Sequence, residues 1–549
     1  MSLAQVLDLA SEHLALSLGL TVLASLASWA VYNAFFSPLA DVPGPLSARL
    51  GLGSWMSNRA LSYDMGWKLA EQHDKHGAAV RVSRNMVSLV DPSVIGEIYR
   101  YGGKFEKTSF YSYFRADKPS LMSILDNHSH ALMRRAESPA YTMTLLVDLE
   151  EHVDSCLDDL VANFDKAIVA GKGKGTVDMG EMMQLLAMDV IGELAFGGTF
   201  GLCKAGKDTQ GFLPMLEAFV DVCCLCGECS FLYYPSQSAD SSCAGTQPWA
   251  GLPLIAFCNW KVGAQGPQAL ASKSSKAVKD RLEQIKKAYE TGDEPRRDML
   301  SKLVMAKNAD GSPYSIRQIE VAASSILGAG SDTTAVTMRA LLYFIVRDPA
   351  VYAKVMREIE NAFDSGLLSL PIKYSDGTKL SYFQSCLKET LRLHPAVPWT
   401  LPRVVPKEGA VLAGRYYAPG TQVAMSPFVF HRRTEAFGPD TAVFRPERWL
   451  EATEEEKKVM ERNLITFGSG SRVCIGKNIS LMEITKVLPT LLWKYRFSFT
   501  PRNQPNSPHK LPGRAVDGTL DDKEPWHVKS QWFAVQHDYW VDVEERGDS

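Results

Sequence analysis

The chain has 549 residues and a mass of 60.6 kDa, 46% hydrophobic and 22% charged, ordinary globular usage that excludes collagen-like and low-complexity readings. Lys and Arg number 59 against 62 Asp and Glu, a net charge of −3, and this near-balance excludes a nucleic-acid binder, which carries a basic excess. Ten cysteines, in a chain well beyond the ~250–300 residues of one ordinary core, exclude a disulfide scaffold and predict two subdomains or one large enzyme fold in a reduced, cytosol-facing body.

From Leu14 to Phe36 the chain reads LALSLGLTVLASLASWAVYNAFF, without a charge. At ~1.5 Å per residue such a run crosses the ~30 Å hydrocarbon core of a bilayer. Trp29 and Tyr32 stand near its end, where amphipathic rings favour the interface. A cleaved signal peptide is the competing reading. Asp8 and Glu12, not basic residues, precede the run, which is also long for such a peptide. The first cations after it, Arg49 and Arg59, place the body in the cytoplasm by the positive-inside bias. Residues 1–37 are expected to be a single-pass membrane anchor. Residues 38–50, containing Asp41-Val42-Pro43-Gly44-Pro45, read as a stiff proline-rich linker that cannot continue a helix. Residues 51–549 form the body on this one tether.

Val80 to Asp91 alternates in the strand manner. Helices are predicted around 130–165, 181–196, 268–291, 316–347 and 350–363, and strands near 401–425 and 525–543. The class is mainly α with small β-sheets (α+β), without an internal repeat. Cys223, Cys224, Cys226 and Cys229 crowd ahead of FLYYPSQSADSSCAGTQPWAG. No second Cys or His pair stands at zinc-site spacing, so the stretch reads as an irregular, membrane-facing loop, or as translated intron sequence, rather than a metal site.

The chemistry concentrates in Phe467-Gly468-Ser469-Gly470-Ser471-Arg472-Val473-Cys474-Ile475-Gly476. A glycine-punctuated loop ahead of an apolar helix (Ile479 to Leu492) suits a thiolate, because free backbone N–H groups and a helix N-terminus lower a thiol pKa. Gly470 and Gly476 would let the backbone pass close to a flat ligand, and Arg472 can neutralise a carboxylate on it. The fixed residues Phe467, Gly470, Arg472, Cys474 and Gly476 resemble, at every fixed position, the haem-binding signature of the cytochromes P-450. The resemblance covers roughly Pro43 to Val543. It implies the cytochrome P-450 fold, a haem b (iron protoporphyrin IX) and Cys474 as the axial thiolate of its iron, whose electron donation favours O–O cleavage.

Other segments carry the same resemblance. Glu389 and Arg392 lie i and i+3 in KETLRLHP, and with Arg448 of FRPERW they resemble the family's buried structural triad. Ala329-Gly330-Ser331-Asp332-Thr333-Thr334 lies in a helix that opens on a Ser315-x-x-Gln318 capping box. Gly328 and Gly330 each cost up to ~1 kcal/mol in a helix interior. Haem and dioxygen near Ala329 and Gly330, with a local kink, would offset that cost; tight helix packing is the plainer account. By resemblance Thr333 holds the oxygen network and Asp332 feeds protons. His130 and Arg134, one helical turn apart, and Arg403 would reach the haem propionates. Two departures stand out: Arg432-Arg433 where relatives commonly have Arg-Asp, and Ser480 where alanine is more usual.

The resemblance implies a monooxygenase using O2 and NADPH-derived electrons on a small apolar organic substrate, of a kind met in fungal secondary metabolism (terpenoid, polyketide or alkaloid). The chain has no Walker or Rossmann glycine fingerprint and no room for a flavin domain, so a separate NADPH–cytochrome P-450 reductase is implied, with Lys477 and Arg135 as candidate contacts. The expected location is the endoplasmic reticulum membrane with a cytosolic body. The pocket is expected from the 109–125 loop, the 210–260 region, Ser325, Ala329 and Val397, mostly apolar. The alternatives are a non-oxidative haem-thiolate isomerase or dehydratase, which typically lacks the acid–Thr pair, and a non-catalytic haem-binding protein.

Overall fold

The computed structural model describes residues 3–51, 55–115, 118–228 and 266–547. Its N-terminal apolar run forms α1 (Leu3–Val31), which continues as a π-turn over Tyr32–Phe36. The 21 residues Leu16–Phe36 are long and apolar enough to cross a membrane and lie mostly unburied. The linker that follows is docked on the body. Arg81, fully buried, donates from Nη1 to the carbonyls of Asn33 (2.9 Å) and Leu39 (3.2 Å), and its backbone N–H reaches Pro43 O at 2.8 Å. Arg415 pairs with Asp41. The expected tether is therefore a clamp, because a buried guanidinium needs acceptors and the π-turn after α1 and the segment beyond it supply them.

Seven further helices position the site: α2 (Asn127–Glu137), α3 (Glu150–Ala170), α4 (Met179–Ile191), α5 (Phe212–Glu228), α6 (Ile316–Arg347), α7 (Ser381–Leu393) and α8 (Lys477–Lys494). The long α6 is buried without interruption from Thr334 to Ile345 and so runs through the core. The expected capping box closes it: Ser315 N donates to Gln318 Oε1 (2.9 Å) and Gln318 N to Ser315 Oγ (3.3 Å). Asp348 ends it and caps the helix Pro349–Asp364. No break interrupts α6 at the glycines. A Cβ on Gly330 would meet Ile191 Cδ1 of α4 at 2.6 Å, so α4 packs closely against α6 at this glycine.

Four small sheets complete the body. Strands β1 (Ala79–Ser83), β2 (Met86–Leu89), β3 (Glu106–Lys107), β5 (Arg403–Val404) and β8 (Gln422–Ala424) form one sheet in the order β1-β2-β8-β5-β3. In it β2 and β8 are parallel, and the other pairs are antiparallel. A second sheet joins β4 (Gly175–Asp178), β12 (Trp540–Glu545) and β9 (Tyr495–Phe499). The hairpins β6–β7 (Ala410–Leu412, Arg415–Tyr417) and β10–β11 (His527–Ser530, Ala534–His537) stand apart. The sequence segment expected as a loop is helical through Glu228, and Cys223 and Cys224 are buried in α5. Cys229 and the run after it lie outside the described residues.

Candidate active site

The loop before α8 is closed by its own backbone: Cys474 N donates to Phe467 O (2.8 Å) and Gly468 N to Ile465 O (2.8 Å). Gly470 has φ +63, and a Cβ there would lie 1.6 Å from the Tyr99 carbonyl oxygen. That glycine therefore makes room for the close approach of the Tyr99 carbonyl. A Cβ on Gly476 would meet Cys474 Sγ at 4.0 Å. Cys474 itself is exposed, unlike Cys156, Cys203, Cys223, Cys224 and Cys386. Surrounding protein raises its thiol pKa, opposed by the backbone N–H groups of Gly476 and Lys477 and by the charges of Arg134 and Lys477. Coordination to a metal cation would override the first effect and deprotonate the sulfur.

Five cationic or basic side chains gather beside this loop. His130, on α2, is buried, and Arg134, one turn on, donates to Val473 O at 2.7 Å. Arg472 donates to the carbonyls of Ile124 (3.0 Å) and Leu125 (2.7 Å) and to Asn127 Oδ1 (2.9 Å), so it ties the loop to the start of α2. Arg403, on β5, bonds Pro402 O (2.9 Å) and the Tyr111 hydroxyl (3.3 Å). Lys107, on β3, is buried and bonds Met122 O at 2.6 Å. Burial and the neighbouring cations lower the proton affinity of His130, Lys107 and Arg472. His130 is held near 3 by burial and by the charges of Arg472, Lys107, Arg134 and Arg403. Lys107 falls well below its usual range and Arg472 falls to about 10, burial first and neighbouring cations second. None of the five forms an ion pair with a carboxylate among the described residues. A buried guanidinium such as Arg403, without an ion pair among the described residues, calls for an anion, which a propionate of a haem would provide.

On the opposite side, Ala329 is exposed in the middle of the otherwise core-bound α6. Thr333 shares its face and donates its hydroxyl to Ala329 O at 2.8 Å. The Thr334 and Ser480 hydroxyls meet at 2.8 Å, pinning α6 to α8; this gives the serine at 480 its use. Asp332 points differently. It accepts a hydrogen bond from Gln184 of α4, whose Oε1 in turn accepts from Arg339 Nη2 at 2.7 Å. Burial raises Asp332 to about 6, against the lowering effect of Arg339 and Gln184. No hydrogen bond joins Asp332 to Thr333 among the described residues.

Behind the loop, Arg392 binds both oxygens of Glu389 (2.9 and 2.7 Å), and Arg448 Nε reaches Glu389 Oε1 at 3.4 Å, all three buried. Trp449 Nε1 adds a bond to Glu389 Oε2 (2.9 Å). The remaining guanidinium donors hold the carbonyls of His431, Thr441 and Phe437. Arg432, at the first departure, stacks on the Phe428 ring at 3.7 Å and donates to Leu393 O.

The family model described as cytochrome P-450 matches residues 43–517. The chain belongs to the cytochrome P-450 family. It is 30% identical over 540 residues to the cytochrome P-450 monooxygenase gsfF of Penicillium aethiopicum, covering 97% of this chain and 99% of that protein. It is 30% identical to the monooxygenase cicH of Emericella nidulans, over 92% of this chain and 94% of the relative. Identity to a pisatin demethylase of Fusarium vanettenii is also 30%, over 86% of each chain.

Membership implies haem iron, O2 and reducing equivalents, and the exposed Cys474 with its unneutralised cations fits that group. Sequence reasoning missed three residues of this P-450. Lys107 carries no local signal, because only the β3–β5 pairing brings it beside Arg403. Gln184 was legible in principle as one polar side chain inside the apolar MMQLLAMDVI of α4. Arg339 is its counterpart on α6. Of the expected pocket wall, Phe110 and Phe114 join Trp399 and Trp532, with ring centroids 5.0–6.1 Å apart. Ser325 stands half-buried one turn before Ala329, and Val397 is half-buried ahead of Trp399.

Proposed function

We propose that this P-450 inserts one oxygen atom from O2 into an apolar organic substrate, a secondary-metabolite intermediate. Electrons come from NADPH through a separate reductase. The observation that carries the reading is the one exposed thiol among the described residues, with a cluster of basic side chains beside its loop that form no ion pair with a carboxylate. Cys474 would hold the iron. His130, Arg134, Arg403 and Arg472, with Lys107, would hold the propionates, and Phe467, under the Lys477 ammonium at 5.5 Å, would cover the thiolate. The haem, when bound, supplies dioxygen activation.

The chain's own part is to bind, orient and supply protons. Ala329 leaves an open face on α6 where a larger residue would intrude. The Thr333 hydroxyl, anchored on Ala329 O, is placed to accept and pass a hydrogen bond at that face. Asp332, near neutrality in proton affinity, can both take and give a proton at working pH. Glu389, Arg392 and Arg448 hold the core behind the loop. The anchor α1 would sit in the endoplasmic reticulum membrane with the body cytosolic. Lys477 and Arg135, both exposed, would meet an acidic reductase surface. The substrate would be a terpenoid, polyketide or alkaloid.

The test is a reduced-CO difference spectrum of the purified chain and of Cys474→Ala, followed by NADPH-dependent O2 consumption with added reductase across a panel of apolar compounds. A thiolate-type band lost in the variant, with substrate-dependent consumption, supports the proposal. An imidazole-type band, or consumption that no compound alters, overturns it.

A further inference from the structure

A hydroxyl inside a helix usually returns its proton to the carbonyl four residues back, and α6 shows the habit. Ser324 donates to Glu320 O (2.7 Å), Ser331 to Leu327 O (2.9 Å), Thr333 to Ala329 O (2.8 Å) and Thr337 to Thr333 O (2.9 Å). Ser325 breaks it. No hydrogen bond joins its Oγ to another described residue, and it stands half-buried one turn before Ala329, on the side of α6 that is open. At ~1.5 Å per residue it lies about 6 Å along the helix from Ala329 and about 12 Å from Thr333.

Where the cation cluster ends, an aromatic shell begins. Tyr111, whose hydroxyl accepts from Arg403, sets its ring edge-on to Phe110 (centroids 5.5 Å, 83°) and to Trp532 (6.3 Å, 86°). Phe110 stacks on Trp399 (6.1 Å, 13°). Phe114 packs on Trp532 (5.0 Å) and meets Phe219 of α5 edge to face (6.3 Å, 85°). Trp399, Phe110 and Trp532 are buried, whereas Phe114 and Phe219 are only half-buried. An edge-to-face contact covers one face of one ring, so this half-buried pair keeps faces for a further ring.

We infer that the substrate is a flat aryl compound carrying an oxygen substituent, with Ser325 Oγ as the hydrogen-bond partner of that oxygen and Phe114 and Phe219 as the rings that take its aryl face. The inference rests on the reading above, in which the propionates lie at the cation cluster and the substrate lies on the Ala329 face. A phenolic hydroxyl can donate to Ser325 or accept from it, and a carbonyl oxygen accepts from it. A bare arene would cover the serine hydroxyl without giving it a partner. A saturated skeleton of the same shape has no π-face to offer the rings. The site therefore selects for oxygen and for ring character through different residues.

The experiment titrates the ferric holoenzyme with three probes of one skeleton (2-naphthol, naphthalene and decahydro-2-naphthol), read by the change in haem absorbance and by equilibrium dialysis. The parent should bind 2-naphthol about fivefold more tightly than either other probe, the worth of one hydrogen bond or one aromatic pair. Ser325→Ala should erase the preference for 2-naphthol over naphthalene and spare the other. Phe114→Leu should erase the preference for 2-naphthol over decahydro-2-naphthol and spare the first. Ser324→Ala, at a hydroxyl already bonded to Glu320 O, should match the parent, and the reduced-CO band should be unchanged in all three variants. Equal affinity of the parent for 2-naphthol and either other probe would overturn the inference. So would a Ser325→Ala protein that keeps the full preference for oxygen, a Phe114→Leu protein that keeps the full preference for an aryl ring, or a Ser324→Ala protein that behaves as Ser325→Ala. A parent without the thiolate-type band fails the proposed function itself; with that band present, the titrations judge only Ser325 and the rings.

Discussion

Thr333 bonds back to Ala329 O, which holds the hydroxyl on the open face of α6 without breaking the helix. Thr333→Ala should keep the haem and the reduced-CO band while cutting product per NADPH about tenfold and diverting electrons to peroxide; a peroxide assay beside product quantitation checks it. Glu483 on α8 poses a different problem. It is fully buried, neither carboxyl oxygen has a hydrogen-bond partner, and burial pushes its pKa to about 8. The folded state therefore keeps a proton that the unfolded chain releases near the ordinary value of about 4.3. Stability from this group is full below that value and falls as pH rises toward 8. Glu483→Gln should stabilise the holoenzyme at pH 8 by roughly 2–4 kcal/mol and by almost nothing at pH 4.5. Thermal midpoints measured across that range decide the matter.

At the scale of elements, a short motif was legible wherever its partners are neighbours in sequence. The Ser315–Gln318 box, the Glu389–Arg392 pair and the Cys474 loop each fall within a few residues, so spacing and residue type fix them. Roles set by distant packing were not legible. The seat of Ile191 at Gly330 and the approach of Tyr99 O to Gly470 are examples. No local pattern announces a contact between positions so far apart. The difference is testable. Gly470→Ala should abolish haem incorporation, because a methyl group cannot occupy 1.6 Å from a backbone oxygen and φ +63 strains any residue with a Cβ. Gly476→Ala should retain most of it; reduced-CO absorbance per mole of protein compares them. Glu389→Gln should leave two buried guanidiniums uncompensated, at a cost of about 3–5 kcal/mol, and purify as colourless protein.

At the scale of the molecule, the mainly helical class with small sheets followed from periodicity and the N-terminal apolar run was plain from composition, but the helix expected around 130–165 is broken at Ser138–Tyr141 and again at Leu149. The docking of residues 38–50 was not legible, because it depends on Arg81, which in sequence is one cation in a strand. Arg81→Met should free that segment while leaving the haem spectrum intact. Trypsin cleavage at Arg49 should then accelerate about tenfold, the expected effect of two lost hydrogen bonds to carbonyls. Because α1 ends in acceptors gripped by the body, the two behave as a shaft keyed to a wheel. Adding a single residue inside α1, ahead of Asn33, would turn the body by about 100° around the shaft, and adding seven would return it close to its starting bearing. A ladder of such insertions should make performance in native membranes rise and fall with the helical repeat, a periodicity that a slack leash could never produce.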